Sequence, residues 1–380
     1  MKLAGIIISL LTPPGRGAVA SILVAGNGAL ELVSRHFSPA SGKSLSELPV
    51  GRVVFGSFRS LADAAEEVVV GLHGKDHVEI HCHGGALAAA AVMKTLAKEG
   101  AAKVPWQQVA EHIEPDRIAA EARIALAAAR TEKTATILLE QYRGALRNCI
   151  EEIAAPLESQ PESHAASLSH LQRLLALAPF GKHLTQPWCV FISGAPNVGK
   201  SSLMNALVGY QRSIVFDQPG TTRDLLTAVT ALDGWPVELV DSAGLRESDD
   251  ALEAAGVARA TAGIAEADLV LWVEDATTTD PTVVTEHIPK NSSVIIVKNK
   301  ADLLTASASP QVADEVVVSA LTGQGLDRLC QHIVQQLIPF PPVRGEAIIF
   351  TQRQEQTIQQ AATALSSGDE RLAVTWLRGL

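Results

Sequence analysis

Short apolar, β-branched runs closed by turn signals fill the first hundred residues: Gly5–Ser9, Val19–Val24, Arg52–Phe58, Glu67–Leu72 and His77–Cys82. Their lengths and alternation predict strands. Gly84 and Gly85 open an alanine-rich helical stretch to about Glu99, so residues 1–105 read as a small α+β domain. From about Trp106 the pattern turns helical. Residues 117–154 hold no proline and, apart from Gly144, no glycine, which predicts long helices. Pro156 and Pro161, with polar residues between them, predict a loop, and 164–179 resumes as helix. From Thr185 strands and helices alternate as in an open, mostly parallel sheet, up to Pro339, Pro341 and Pro342. Two helices are predicted over 352–366 and 369–377. The pattern therefore gives an N-terminal α+β domain (1–105), a helical domain (106–184), an α/β domain (185–341) and a second helical part (342–380).

Composition narrows the classes. The 380 residues are 47% hydrophobic and 19% charged, enough to fill a core and to exclude a disordered chain. With 41 acids against 31 bases the net charge is −10, which argues against coating nucleic acid by bulk electrostatics. Cys82, Cys149, Cys189 and Cys330 lie far apart, without metal or disulfide spacing, as expected in a reducing compartment. The apolar run Leu3–Leu11 is shorter than the roughly 20 residues a membrane helix needs, so it reads as a buried strand. A cytoplasmic protein without a membrane partner is expected.

Gly194-Ala195-Pro196-Asn197-Val198-Gly199-Lys200-Ser201 fits G-x-x-x-x-G-K-[ST] between a β-rich run, Trp188–Ile192, and a helix-compatible series, Ser202–Leu207. In that setting backbone N–H groups and a helix N-terminus face a phosphate. Lys200 brings a point charge to the β- and γ-phosphates, and the Ser201 hydroxyl is placed for Mg²⁺. A chance glycine turn is the bland alternative, and the flanking strand and helix argue against it.

The base follows from Asn299-Lys300-Ala301-Asp302 after the predicted strand Ser293–Lys298. A carboxylate at Asp302 accepts from N1–H and the 2-amino group of guanine, and adenine would leave it unpaired. Ser319-Ala320-Leu321, after Glu315–Val318, is the expected last base-side loop. Between them stand Gly220-Thr221-Thr222-Arg223-Asp224, with Thr222 as the second hydroxyl for Mg²⁺, and Asp241-Ser242-Ala243-Gly244, a D-x-x-G. Five motifs in this order predict a G domain that binds GTP or GDP and hydrolyses GTP.

The motifs Gly194–Ser201, Asp241-Ser242-Ala243-Gly244-Leu245-Arg246-Glu247, Thr12-Pro13-Pro14-Gly15-Arg16-Gly17 and His83-Gly84-Gly85 together resemble the MnmE (TrmE) family of tRNA-modification GTPases. The resemblance spans most of the chain and implies a G domain inserted in a helical domain behind an N-terminal α+β domain. It implies a potassium ion held by Asn197, Phe216, Gln218 and Thr221 in place of an arginine finger, while Leu245 stands where Ras-like GTPases place a water-orienting glutamine. It makes Glu253 the catalytic, water-orienting glutamate beside Lys200 and Thr222. The implied nucleotide-contacting set is Asn197, Val198, Gly199, Lys200, Ser201 and Ser202; Phe216, Asp217, Gln218, Pro219, Gly220, Thr221 and Thr222; Asp241, Ser242, Ala243 and Gly244; Asn299, Lys300, Ala301 and Asp302; and Ser319, Ala320 and Leu321. A homodimer, an MnmG-type flavoprotein and tRNA are the implied partners.

The chain departs from the family at several points. Its C-I-G-K tail has no counterpart before Leu380; T-G-E-D is replaced by His73-Gly74-Lys75-Asp76; and the arginine that contacts 5-formyltetrahydrofolate falls on Leu23, although Glu79 matches a folate-contacting glutamate. The matching lysine region, around Glu114 to Arg117, is not recognisable. These departures leave a second expectation beside the first, a paralogue acting as a GTP-dependent switch or scaffold. An assembly GTPase of the Era or Der kind fits the N-terminal motif poorly. His81-Cys82-His83 is a weak metal signal, because alternate strand residues face opposite sides.

Overall fold

A computed structural model describes residues 5–13, 17–60, 65–159, 164–210, 226–242, 263–278, 293–304 and 315–380. The chain divides into two compact units, Met1–Ile124 and Ala125–Leu380. Among the described residues, no helix is long and apolar enough to cross a membrane.

The first unit is built on seven strands: β1 (Ile7–Leu10), β2 (Val19–Ala25), β3 (Phe37–Pro39), β4 (Val53–Arg59), β5 (Ala65–Leu72), β6 (His77–His83) and β7 (Ala102–Lys103). They lie in the order β3-β4-β5-β6-β2-β1-β7, antiparallel except for the parallel β1–β7 pair. Alternation decides which side is buried. Val78, Ile80 and Cys82 of β6 enter the core with Ile22, Val24, Phe58 and Val70. Helices α1 (Ala29–His36) and α2 (Ala86–Lys98) contribute Leu32, Val33, Val92 and Leu96 to the same core. On the other face Ile7, Leu23 and Ala25 pack with Val109 of α3 (Trp106–Ile113). The two N-terminal motifs meet here. A Cβ on Gly84 would lie 2.1 Å from the Gly17 carbonyl oxygen, and Gly84 N–H donates to the Ala18 carbonyl at 3.0 Å. Only a glycine lets these two backbones approach so closely.

Helix α4 (Arg117–Ala128) contains the division between the units. The second unit begins with α5 (Glu132–Tyr142), α6 (Ala145–Ser159), α7 (His164–Ala176) and α8 (Ala178–Lys182). Helix α6 runs through Pro156, where the sequence predicted a loop. Its apolar stripe, Leu146, Ile150, Ile153, Ala154 and Leu157, continues one position past the proline, and burial of that stripe outweighs one lost backbone bond in the last turn. The helices that follow the sheet are α11 (Gln352–Ser366) and α12 (Glu370–Arg378); α11 packs on α7 and α12 on α6. The fully buried Gln141 stitches the two parts: its Nε2 donates to the Glu346 carbonyl at 2.9 Å, and Ile348 N–H donates to its Oε1 at 3.1 Å.

Between these helices lies a six-stranded sheet of β8 (Trp188–Gly194), β9 (Leu226–Leu232), β10 (Trp235–Asp241), β11 (Leu269–Asp275), β12 (Val294–Asn299) and β13 (Glu315–Val317). The order is β13-β12-β11-β8-β10-β9, parallel except for the β9–β10 hairpin. Covered on both faces, its strands are near-continuous apolar runs. Leu203 and Leu207 of α9 (Lys200–Gly209) join Leu329 and Ile333 of α10 (Leu326–Leu337) against Val190, Leu239, Leu271 and Val297. Phe191, Val240, Ile264 and Val270 form a smaller cluster.

Candidate nucleotide-binding site

Strand β8 has β10 on one side and β11 on the other, and the chain visits β10 before crossing to β11. That reversal opens a crevice at the carboxyl ends of the strands. The phosphate-binding loop sits there, after β8, and α9 starts at Lys200 with Gly199 as its N-cap at φ 94°. Val198 is buried and anchors the loop, while Asn197 stands exposed at a left-handed φ of 63°. The Lys200 ammonium donates to the carbonyls of Gly194 at 3.1 Å and Ala195 at 2.8 Å. Ser201 Oγ donates to Asp241 Oδ2 at 2.6 Å, and Asp241 is fully buried at the end of β10, followed by the buried Ser242. A hydroxyl and a carboxylate side by side are the hard oxygen donors that Mg²⁺ takes, so the residues fit that ion.

The base-side loops are wired to the phosphate loop by one side chain. Asn299, 2% exposed at the end of β12, donates through Nδ2 to the Val198 carbonyl at 2.9 Å and accepts at Oδ1 from Ala320 N–H at 3.0 Å. The contact needs Gly199, since a Cβ there would lie 2.4 Å from Asn299 Nδ2. Beyond it, Lys300 adopts φ 69°, and Ala301 N–H donates to the Val318 carbonyl at 3.0 Å. Asp302 Oδ1 accepts from Ser319 Oγ at 2.5 Å, and Ser319 Oγ also accepts from Thr322 N–H at 3.1 Å. Leu321 is exposed beside this loop. The carboxylate expected to read guanine is thus held by the serine of the S-A motif.

Asp275, which the sequence reading did not single out, belongs to the same wiring. It ends β11, and its Oδ2 accepts from Lys300 Nζ at 2.7 Å, which fixes the lysine stem. Its Oδ1 accepts from the Thr277 backbone and hydroxyl at 2.9 and 2.7 Å. The Lys300 hydrogen bond, then those from Thr277, hold its carboxyl down at about 2. The available signal was an acid closing a strand one residue before a run of three threonines, a pattern shared with ordinary turns.

The structure brings Asn197, Val198, Gly199, Lys200, Ser201, Ser202, Asp241 and Ser242 together at one end of the crevice, and Asn299 to Asp302 with Ser319 to Leu321 at the other. Phe216, Asp217, Gln218, Pro219, Gly220, Thr221, Thr222, Ala243, Gly244 and Glu253 lie outside the described residues.

The family described as 50S ribosome-binding GTPase matches residues 189–300, and that described as GTP-binding protein TrmE N-terminus matches residues 6–105. The tRNA modification GTPase MnmE of Moorella thermoacetica is 34% identical over 98% of this chain and 90% of its own length. The MnmE of Carboxydothermus hydrogenoformans is 31% identical over 97% and 90%, and that of Thermus thermophilus 32% over 96% and 89%. A phosphate-binding loop, a base-side N-K-x-D and one asparagine joining them stand in a chain this similar throughout: it is a GTPase and belongs to the MnmE family of tRNA modification GTPases.

Proposed function

We propose that the protein hydrolyses GTP with Mg²⁺ and K⁺ in the service of tRNA wobble-uridine modification, as a cytoplasmic homodimer working with a flavoprotein of the MnmG type. The observation that carries the nucleotide part is the Asn299 bridge, which fixes the spacing between the phosphate and base subsites. The tRNA part rests on the names of the relatives. Val53 and Phe55, exposed on the outer side of β4, are apolar surface of the kind a second copy covers and support the dimer. Helices α6 and α7 pack on α12 and α11, which supports a reading of one helical domain (106–184 and 342–380) interrupted by a G domain (185–341), with residues 106–124 grouping instead with the first unit, where α3 packs on the sheet.

The chain's own groups account for most of the chemistry. Water attacks the γ-phosphorus, the bond to the β–γ bridging oxygen breaks, and GDP and phosphate leave. The loop N–H groups and Lys200 bear on the charge that grows on that bridging oxygen. Ser201 and Thr222 would hold Mg²⁺ directly, with Asp241, hydrogen-bonded to Ser201, holding it through water; Asn197, with Phe216, Gln218 and Thr221, is assigned to K⁺. When bound, the two ions supply positive charge against the phosphate oxygens. Glu253 is assigned to orienting the attacking water through a second water.

Phosphate release tests this assignment. Turnover is expected to be faster in KCl than in NaCl, and Glu253→Ala to lower it roughly a hundredfold while GTP affinity hardly changes. Equal rates in the two salts would remove potassium from the reading, and a parallel loss of GTP binding would make Glu253 structural. For the tRNA part, a deletion strain should lose modified wobble uridines in bulk tRNA; an unaltered nucleoside profile would leave only the GTPase.

The residues do not fit 5-formyltetrahydrofolate as the family holds it. Leu23 is 2% exposed and packs with Ile7, Ala25 and Val109, and Glu79 faces three histidines.

A further inference from the structure

Strand alternation separates Cys82, buried in the core, from His81 and His83, and so dissolves the sequential His-Cys-His signal. The same alternation puts His77, Glu79 and His81 on the opposite, half-exposed face of β6, and the β5–β6 turn brings His73 over them. Glu79 Oε2 lies 3.5 Å from His73 Nε2 and 3.6 Å from His81 Nε2, and Glu79 Oε1 lies 3.8 Å from His77 Nε2. One ligand atom each from His73, His77 and Glu79 fall within 4.8 Å of one another. We propose that His73, His77 and Glu79 bind a divalent transition-metal ion of the zinc type, with His81 beside it as the next available donor.

The spacing, the donor chemistry and the free nitrogen agree. Tetrahedral bonds of about 2.0–2.2 Å put ligand atoms roughly 3.3–3.6 Å apart; here the two Glu79 oxygens stand 3.5 Å from His73 Nε2 and 3.8 Å from His77 Nε2, and the three ligand atoms lie within 4.8 Å, so side-chain shifts of about 1 Å close the set on an ion. Imidazoles with one carboxylate form a borderline donor set that suits zinc, cobalt or nickel rather than Mg²⁺ or Ca²⁺. His77 Nε2 is buried, and Glu79 Oε1 beside it at 3.8 Å is too far for a hydrogen bond, so a cation between them would satisfy both. Ser21 Oγ is 2.8 Å from His81 Nδ1, which orients that ring with Nε2 toward Glu79, the kind of support metal-binding histidines have. Gly71, paired with Glu79 across the strands, lies against the cluster: a Cβ there would make ordinary contact at 3.4 Å from His73 Nε2 and 3.9 Å from His81 Nε2. The side chains of His73 and His77 are 50% and 30% exposed, so an ion can reach them from solvent.

The test uses the full chain, stripped of metal and then saturated with GDP and excess Mg²⁺ so that the nucleotide site is filled. Titration with ZnCl₂ by calorimetry should give one saturable site per chain, and CoCl₂ should give the visible absorption of tetrahedral cobalt, bleached by zinc. His73→Ala and His77→Ala should each weaken zinc binding at least tenfold with GDP affinity unchanged. His170→Ala, at an exposed histidine elsewhere, should leave zinc binding as it was. If His77→Ala does not fold by circular dichroism, His77→Gln keeps the ring's volume and should show the same loss. Absence of saturable zinc binding, or full binding retained in the His73 or His77 variant, overturns the proposal.

Discussion

Asp302→Asn is expected to weaken GDP and GTP binding more than a hundredfold and to turn the site toward xanthosine nucleotides. On the proposed reading the carboxylate takes N1–H and the 2-amino group of guanine, so two charge-assisted hydrogen bonds of roughly 1.5–3 kcal/mol each are at stake. The variant amide would turn a donor toward the 2-amino group, whereas xanthine carries a 2-oxo acceptor there. The fold should tolerate the change, because an amide oxygen still accepts from Ser319 Oγ, now 2.5 Å from Asp302 Oδ1. Lys300, tied to Asp275 at 2.7 Å, would still lie along the ring. Competition binding with GDP and xanthosine diphosphate reads the result, and an unchanged preference would mean that Asp302 does not face the base.

This specificity was legible in the sequence because phosphate and guanine chemistry fix residue types at fixed spacing. A glycine turn before a lysine and a serine has few other uses, and N-K-x-D after a strand has few either. The parallel sheet was equally legible, since strands buried on both faces leave apolar runs such as Val190–Ile192 and Val294–Val297. What escaped depended on contacts between distant segments. Asp275 is an ordinary turn acid until Lys300 reaches it from the next strand. Helix α6 outlasts Pro156 because Leu157 finds the core, which no local propensity encodes. Strands β3 and β7 are three and two residues long, too short to show a period. The histidine cluster escaped for a related reason: alternation already weakened His81-Cys82-His83 as a metal signal, but which histidines gather at Glu79 depends on the turn that carries His73 over β6.

Asn299→Ala should lower affinity for every nucleotide alike, and in this it parts from Asp302→Asn. The asparagine ties the two loops together, one Nδ2 hydrogen going to the Val198 carbonyl and Oδ1 accepting from the Ala320 N–H, and a tie between loops bears on any bound base alike. Its removal leaves two backbone groups without their partner at a site where Asn299 itself is 2% exposed, at about 1–3 kcal/mol for each group left unpaired. It also opens space against Gly199, whose α-carbon is bare to admit the side chain. At least ~2 kcal/mol of this should appear as lost binding, roughly thirtyfold in Kd, because the phosphate loop and the Ser319–Leu321 loop would no longer hold one spacing. GDP and xanthosine diphosphate should lose equally, and the thermal midpoint should fall, whereas Asp302→Asn should move the ratio of the two with little change in midpoint. Retention of GDP affinity within twofold in a folded Asn299→Ala protein would show that each loop is rigid on its own, and that the bridge only reports their positions.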